Sequence, residues 1–402
     1  MRRWHVAALL LAGMSAAFAS ASAAGQVAGW DWPRATMLEV GIDPDPIEAF
    51  DAAIRNGRYG LVDRLVIVRN RQLVVDASYD NDYQSISRGV VNDLGCGWDS
   101  CDSDDDLHDF NYLHPDFHPW YQGRRVHSLQ SVTKSIASTV LAAAIHRGEL
   151  PGIDATLVDF LKAYDLSTVD SRLHQATLAD LLTMRSGIEW HEQDRPLGDS
   201  NTTIQLERSN DWVQFTLDQP MDAAPGDKWV YNSGGSHLIS AIVRAATGVT
   251  IADYAEQHLF GPLGITDYYW KHTPAGLPDT EGGLYLDATD LAKVGLLMLQ
   301  DGRWTSAAET VRLLPAGWAR EATERQVDRV NGAGWGYGYQ WWRPDTGGVE
   351  VWAAMGFGDQ YLLVLPEHDL IAVVNSWNLF DRPTTPVLRG LLNAVIAATR
   401  SR

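Results

Sequence analysis

The stretch that decides the reading is "HSLQSVTKSIASTVLAAAIHRG", His127–Gly148. From Ser131 onward Val132, Ile136, Val140 and the Ala142–Ala144 segment recur at helical spacing, and Gly148 marks a stop. The segment is apolar over much of its circumference, so it is expected to lie buried between layers rather than on a surface. Ser131 and Lys134 stand three residues apart and share a face of the first helical turn. A serine hydroxyl needs an adjacent base to act as a nucleophile, and a lysine serves when burial or a neighbouring cation lowers its pKa. The first turn also offers backbone N–H groups that can hold a developing oxyanion. S-x-x-K alone is a weak signal, and its meaning depends on what surrounds it.

Outward from this helix the pattern changes in both directions. "LVDRLVIVRNRQLVVDASY", Leu61–Tyr79, reads as a hairpin with two β-branched runs around a polar turn, and so does "YLLVLPEHDLIAVVNS", Tyr361–Ser376. Helical segments are expected at 153–163, 177–186, 211–217, from Ser236 to Gly248, in "IADYAEQHLFG" and after Pro386. The pattern predicts an α/β chain of α+β type: an antiparallel sheet built from both chain ends, flanked by helices, with a mostly helical subdomain inserted. The expected divisions are a leader at 1–24, sheet-domain segments at 25–150 and 256–402, and the helical insert at 151–255. The polar, aromatic-rich stretch 80–126 is a long connection that enters the Ser131 helix directly, so it is a candidate wall of a site.

The chain opens "MRRWHVAALLLAGMSAAFASASAAG". Two arginines, an apolar run of about 14 residues and a small-residue segment read as a cleaved secretory leader, too short for a spanning helix. The product is expected in the periplasm or outside the cell, with no integral membrane segment. The formal charge of −19 becomes more negative once Arg2 and Arg3 leave, which argues against nucleic acid or an anionic membrane as partner. Cys96 and Cys101 are the only cysteines, and in an exported chain they are expected to pair. No H-E-x-x-H occurs, and the acidic run Asp102–Asp106 lacks the glycine and glutamate of a calcium loop, so no metal or other cofactor is expected.

Further segments give S-x-x-K a context. They are "LLTMRSGIEW" (Leu181–Trp190), "PGDKWVYNSGGSHLIS" (Pro225–Ser240), "LFGPLGI" (Leu259–Ile265), "GGLYLDATDLAKVGLLMLQDGRW" (Gly282–Trp304), "GWGYGYQWW" from Gly334, and "AMGFGDQYLLVLPEHDLIAVV" (Ala354–Val374). In this order the chain resembles the serine β-lactamase-related hydrolases: class C β-lactamases, D-alanyl-D-alanine peptidases, and esterases and amidases of the same β-lactamase/transpeptidase-like fold.

The resemblance implies Ser131 as the acylated nucleophile, Lys134 as its general base and Tyr231 as a proton relay. The Y-x-N element here reads Tyr231-Asn232-Ser233, placing a serine where relatives carry an asparagine that meets an acylamide. Gly356-Phe357-Gly358 stands where many relatives carry K-T-G or H-x-G, and lacks the cationic head that would meet a substrate carboxylate. The amide of Asp359 is the implied second oxyanion donor beside that of Ser131. Ser233, Gly356, Phe357, Gly358, Trp190 and Trp335 are the implied substrate-binding positions. Trp341 and Trp342 are candidates for the same pocket or for core, and Asp199 and Asp211 are further candidate contacts.

These departures resemble the esterase and 6-aminohexanoate-dimer hydrolase branch more than the lactamases. The expectation is an exported serine hydrolase acting on a small ester, linear amide or peptide-like substrate. The alternatives are a β-lactamase or D-alanyl-D-alanine carboxypeptidase, and a non-catalytic penicillin- or peptidoglycan-binding module. A serine–histidine triad is disfavoured, because no G-x-S-x-G elbow occurs and neither His237 nor His368 has a relay context.

Overall fold

The computed structural model describes residues 31–79, 81, 125–196, 198–306, 309–330, 334–379 and 383–400. The leader, Cys96, Cys101 and the acidic run lie outside the described residues, and so does nearly all of the 80–126 connection.

Both expected hairpins form. The first pairs β1 (Val62–Arg69) with β2 (Gln72–Ser78) through Asn70 and Arg71, both at positive φ. That backbone twist matches the right-handed twist of the flanking strands. The further strands are β3 (His127–Ser128), β4 (Tyr268–Trp270), β5 (Leu284–Leu286), β6 (Arg303–Thr305), β7 (Thr310–Arg312), β8 (Val327–Val330), β9 (Trp335–Tyr337), β10 (Trp342–Arg343), β11 (Trp352–Gly356), β12 (Gln360–Leu365) and β13 (Leu370–Ser376). Six of these join β1 and β2 in one antiparallel sheet in the order β2-β1-β13-β12-β11-β10-β9-β8. The chain ends therefore meet at the β1–β13 pair, as the two hairpins predicted.

Strand alternation divides this sheet between two cores. Leu65, Ile67, Leu363, Ala372 and Val374 face helices α1 (Pro44–Arg55) and, at the C-terminus, Val387–Thr399. Val66, Val68, Leu362, Val364 and Val373 face the other way, onto α2 (Val132–His146) and the helical layer beyond it. Both faces are covered, so the strands read as nearly continuous apolar runs. The helix α1 went unread in the sequence, although Asp43 followed by Pro44 is a legible start: Asp43 accepts the amide of Asp45 at 3.2 Å.

The helical layer contains α3 (Leu178–Leu182), α4 (Thr202–Glu207), α5 (Trp212–Leu217) and α6 (Ser233–Thr247). Two expected helices are shorter than the pattern suggested. Only the 3-10 turn Leu157–Phe160 forms within 153–163, and α3 stops five residues in, where Met184 adopts φ 60°. Conversely, α6 begins three residues before Ser236, because the Asn232 side chain caps it by accepting the amide of Gly235 at 2.6 Å. No single described helix is long and apolar enough to cross a membrane.

Every residue of α2 from Val132 to Ala144 is buried, including its polar ones. Ser135 and Ser138 donate to the carbonyls of Gln340 and Tyr339, at 2.5 and 2.9 Å. The Gln340 side chain in turn donates to the Leu182 carbonyl and accepts from Ser236, at 3.0 and 2.9 Å. One buried glutamine, through its main-chain carbonyl and its side-chain amide, therefore joins α2, α3 and α6 to the loop between β9 and β10.

Candidate active site

β3 runs straight into the turn that carries Ser131. Its neighbour in a small three-stranded sheet is β5, and the Leu129 amide donates to the Leu284 carbonyl at 2.9 Å. Gln130 follows at φ 48°, and Ser131 then takes helical angles of −61° and −5°. A capping serine ordinarily keeps extended angles so that its oxygen reaches the helix amides. Ser131 makes no such bond, and its Oγ instead accepts from Lys134 Nζ at 3.0 Å. The amides of Val132, Thr133 and Lys134 are committed to the carbonyls of Leu129, Gln130 and Ser131. Ser131 itself is partly exposed, whereas Lys134 is 1% exposed.

Lys134 Nζ has three acceptors, one for each ammonium proton. Besides Ser131 Oγ they are the Glu281 carbonyl at 2.7 Å and Glu281 Oε2 at 3.1 Å. The Tyr231 ring lies 5.2 Å from the same nitrogen. Burial pulls the amine down, but Tyr231, Glu281 and Glu192 outweigh it and hold the group above the ordinary lysine range. Burial alone would lower Lys134, as a lysine base requires, and the carboxylates around it oppose that lowering. Tyr231 is buried, and desolvation raises its phenol. Lys134 and a hydrogen bond with Ser131 pull it down, Glu192 and Glu281 push it up, and the net direction is upward.

Glu192 and Glu281 are the residues that sequence reasoning missed. Glu281 immediately precedes the quoted Gly282–Trp304 segment and arrives because β5 is laid against the Ser131 turn. The Asp279 side chain fixes its backbone, accepting the amides of Glu281 and Gly282 at 2.8 and 3.2 Å. Glu192 follows Trp190 by two residues and has no local signature of its own. It accepts from the Ser233 amide and hydroxyl, at 3.0 and 2.8 Å, and from Trp190 Nε1 at 3.0 Å. Burial raises its carboxyl, and the opposing pull of Lys134 does not cancel that.

The implied substrate contacts therefore separate by position. Ser233 is fully buried at the start of α6 with its hydroxyl given to Glu192, and Trp190 holds the same carboxylate. Trp342 stacks on Tyr231 at 5.7 Å and meets Trp335 edge-on at 6.1 Å, so these two form an aromatic wall beside Tyr231. Trp341, the next residue back, points into the core and is fully buried. Asp211 caps α5 by accepting the amides of Val213 and Gln214, and the exposed Asp199 pairs with Arg208 at 2.7 Å.

The third element closes the β11–β12 hairpin, where Gly356 pairs with Gln360. A Cβ on Gly356 would stand 2.4 Å from the Leu129 carbonyl oxygen, so the strand packs backbone to backbone against the Ser131 turn, and only glycine permits it. Gly358, at φ 75°, and Asp359, at φ 66°, complete the turn after Phe357. The Asp359 carboxylate accepts from Tyr361 at 2.6 Å and Asn378 at 2.9 Å. The hairpin thus touches the Ser131 turn at Gly356, three residues before Asp359. His237 is buried against Trp212, and His368 lies in the turn at the far end of β12. Among the described residues no group of three or more His, Cys, Asp or Glu side chains could hold a metal.

The arrangement juxtaposes a partly exposed serine, a buried lysine and a buried tyrosine at a helix N-terminus. Comparison with known proteins agrees with the resemblance read from the motifs. The chain is 25% identical over 292 residues to the 6-aminohexanoate-dimer hydrolase of Paenarthrobacter ureafaciens, covering 67% of this chain and 70% of that one. Its fold superposes on a D-stereospecific amidohydrolase from Streptomyces sp. with a TM-score of 0.59 at 16% identity, covering 88% and 98% of the two chains. It superposes on a family VIII carboxylesterase with a TM-score of 0.61 at 14% identity, covering 92% and 99%. The beta-lactamase family model matches residues 50–397, nearly the whole described fold, and the chain belongs to the beta-lactamase family of serine hydrolases.

Proposed function

We propose that this protein is an exported hydrolase that cleaves a small ester or linear amide through an acyl-enzyme on Ser131. The observation that carries this reading is the Ser131 hydroxyl: it is released from helix capping, partly exposed, and 3.0 Å from the buried Lys134 amine. In the acylation step the unprotonated form of Lys134, with Tyr231 beside it, takes the hydroxyl proton as Ser131 Oγ bonds to the carbonyl carbon. The Ser131 amide and an amide of the β11–β12 hairpin, Asp359 being the position implied by the resemblance, hold the oxyanion. The proton returns through Lys134 or Tyr231 to the leaving group as its bond breaks. Water then repeats the sequence on the acyl-serine and regenerates the enzyme.

The linear-substrate reading is favoured over a lactamase or peptidase because the Ser233 hydroxyl is given to Glu192, and because Gly356-Phe357-Gly358 offers no cation to a substrate carboxylate. The likeness to a 6-aminohexanoate-dimer hydrolase supports the same choice. Export rests on the leader-like residues 1–24.

The test is intact-mass analysis of the purified protein and of Ser131→Ala with a fluorophosphonate, p-nitrophenyl butyrate, 6-aminohexanoate dimer and nitrocefin. A single adduct on the wild type only, with release of p-nitrophenol or of the monomer, is the expected result. Rapid nitrocefin turnover would replace the linear-substrate reading with a lactamase. An unlabelled wild type would leave a binding module.

A further inference from the structure

Lys134 is held on Ser131 by the segment that leads into β5. Two of its three acceptors belong to one residue, Glu281, through main chain and side chain together. The pair is deeply buried, with side-chain exposures of 1% and 7%. Resting on the Ser131 reading above, we propose that Glu281 is a positioning residue for acyl transfer: its carbonyl and carboxylate hold Lys134 Nζ on Ser131 Oγ, and its charge sets the pH at which Lys134 can accept the serine proton.

The geometry behind Glu281 supports this. Glu207, at the C-terminal end of α4, is fully buried and hydrogen-bonded to Glu281, and its carboxyl is held well above the ordinary range, first by burial. Two carboxyl groups in contact do not both ionise, so one proton lies between them. Lys271 stands 3.9 Å from Glu207 and 5.6 Å from the Trp212 ring, capping the far end of the row. Ser131, Lys134, Glu281, Glu207 and Lys271 thus form a buried line leading away from the nucleophile.

The other titratable groups facing this line are Tyr231 and Glu192 beside Lys134, Asp279 beneath the Glu281 backbone, His237, and Tyr285 near Glu207, whose phenol burial holds well above its ordinary range. Burial keeps His237 neutral above about 3, so it adds no charge at neutral pH. Glu281 is then the carboxylate in direct contact with the ammonium, and its removal should act on Lys134 first.

The experiment is the pH profile of kcat/KM for the wild type, Glu281→Gln, Glu281→Asp and Glu207→Gln, with the rate of fluorophosphonate labelling as a second readout. An anion in contact with a cation favours the charged form by roughly 1–3 pH units, so Glu281→Gln should move the limb governed by Lys134 to lower pH by about that much. Its KM should change little. Glu281→Asp keeps the charge and should keep the limb near its wild-type position even where kcat falls. Glu207→Gln donates to Glu281 as a protonated acid would, and should leave the limb in place.

A limb that stays put in Glu281→Gln while kcat falls would reduce Glu281 to a packing residue and overturn the proposal. A Glu207→Gln limb that moves to lower pH would show Glu207 ionised and overturn the shared proton. A wild type that takes no label fails the Ser131 reading itself, which is distinguishable because no variant need be compared.

Discussion

Ser233 donates both its amide and its hydroxyl to the carboxylate of Glu192, at 3.0 and 2.8 Å. This bidentate contact accounts for a serine at the last position of Tyr231-Asn232-Ser233. An asparagine there would have to be accommodated against a carboxylate already held by Trp190. The serine thus serves the electrostatics of Lys134 and Tyr231 rather than the rim of the pocket.

Replacing Ser233 with alanine should therefore lower stability and kcat while leaving KM nearly unchanged. A hydrogen bond to a charged group contributes about 1.5–3 kcal/mol. Thermal melting together with steady-state kinetics checks this, and a raised KM at unchanged stability would show that Ser233 meets substrate after all.

Lys134→Met is expected to abolish labelling of Ser131 and also to destabilise the fold. It leaves Glu281 buried without its cation, a loss of about 3–5 kcal/mol when one partner of a buried pair is removed. Denaturant unfolding of Lys134→Met beside Lys134→Met/Glu281→Gln measures this. The double variant should recover part of the lost stability without recovering activity.

Gly356→Ala would force a methyl group to within 2.4 Å of the Leu129 carbonyl, so β11 or the Ser131 turn must move. Overpacking of this kind costs about 1–3 kcal/mol, and a displacement near 1 Å costs about a hundredfold in rate. The labelling rate of Ser131 should consequently fall far more than the melting temperature suggests. Equal labelling by the wild type and the variant would mean that the hairpin does not position the nucleophile.

Two buried histidines give the fold an acid limit. Burial pulls His127 down to about 4 and His237 to about 3, from 6.5 in the unfolded chain. The unfolded state therefore binds protons that the folded state refuses. The stability is fully present above about 6.5 and is lost progressively as pH falls toward the folded values, each histidine contributing on the order of a few kcal/mol. Chemical denaturation between pH 7 and pH 4 should show this slope, and His237→Phe should make it shallower.

Much of the frame was legible because it is local. The hairpins at Leu61–Tyr79 and Tyr361–Ser376 declare themselves by β-branched runs around polar turns, and the closing helix by its periodicity. The strands β8 to β11 are two to five residues long, too short for a period of two to stand out, and they went unread. The expected helix at 153–163 shrank to a 3-10 turn because Thr156 bridges to Thr177 and the Leu157 amide is drawn to the Ala176 carbonyl. A tertiary contact outbid the local pattern there.

The site divides in the same way. That Ser131 and Lys134 share a helix face follows from their spacing alone, since residues three apart on an α-helix are neighbours wherever the helix is placed. What charge Lys134 carries follows from nothing near it in the chain. Glu281 lies 147 positions away and reaches Nζ only because β5 pairs with β3, while Glu192 is brought in through Ser233 at the head of a different helix. Helical spacing acts over a single turn, whereas the field at a buried amine is summed over every carboxylate that the fold packs around it. The sequence by itself therefore determined that Ser131 and Lys134 stand side by side as the candidate pair, and only the tertiary structure decided the electrostatic setting around them.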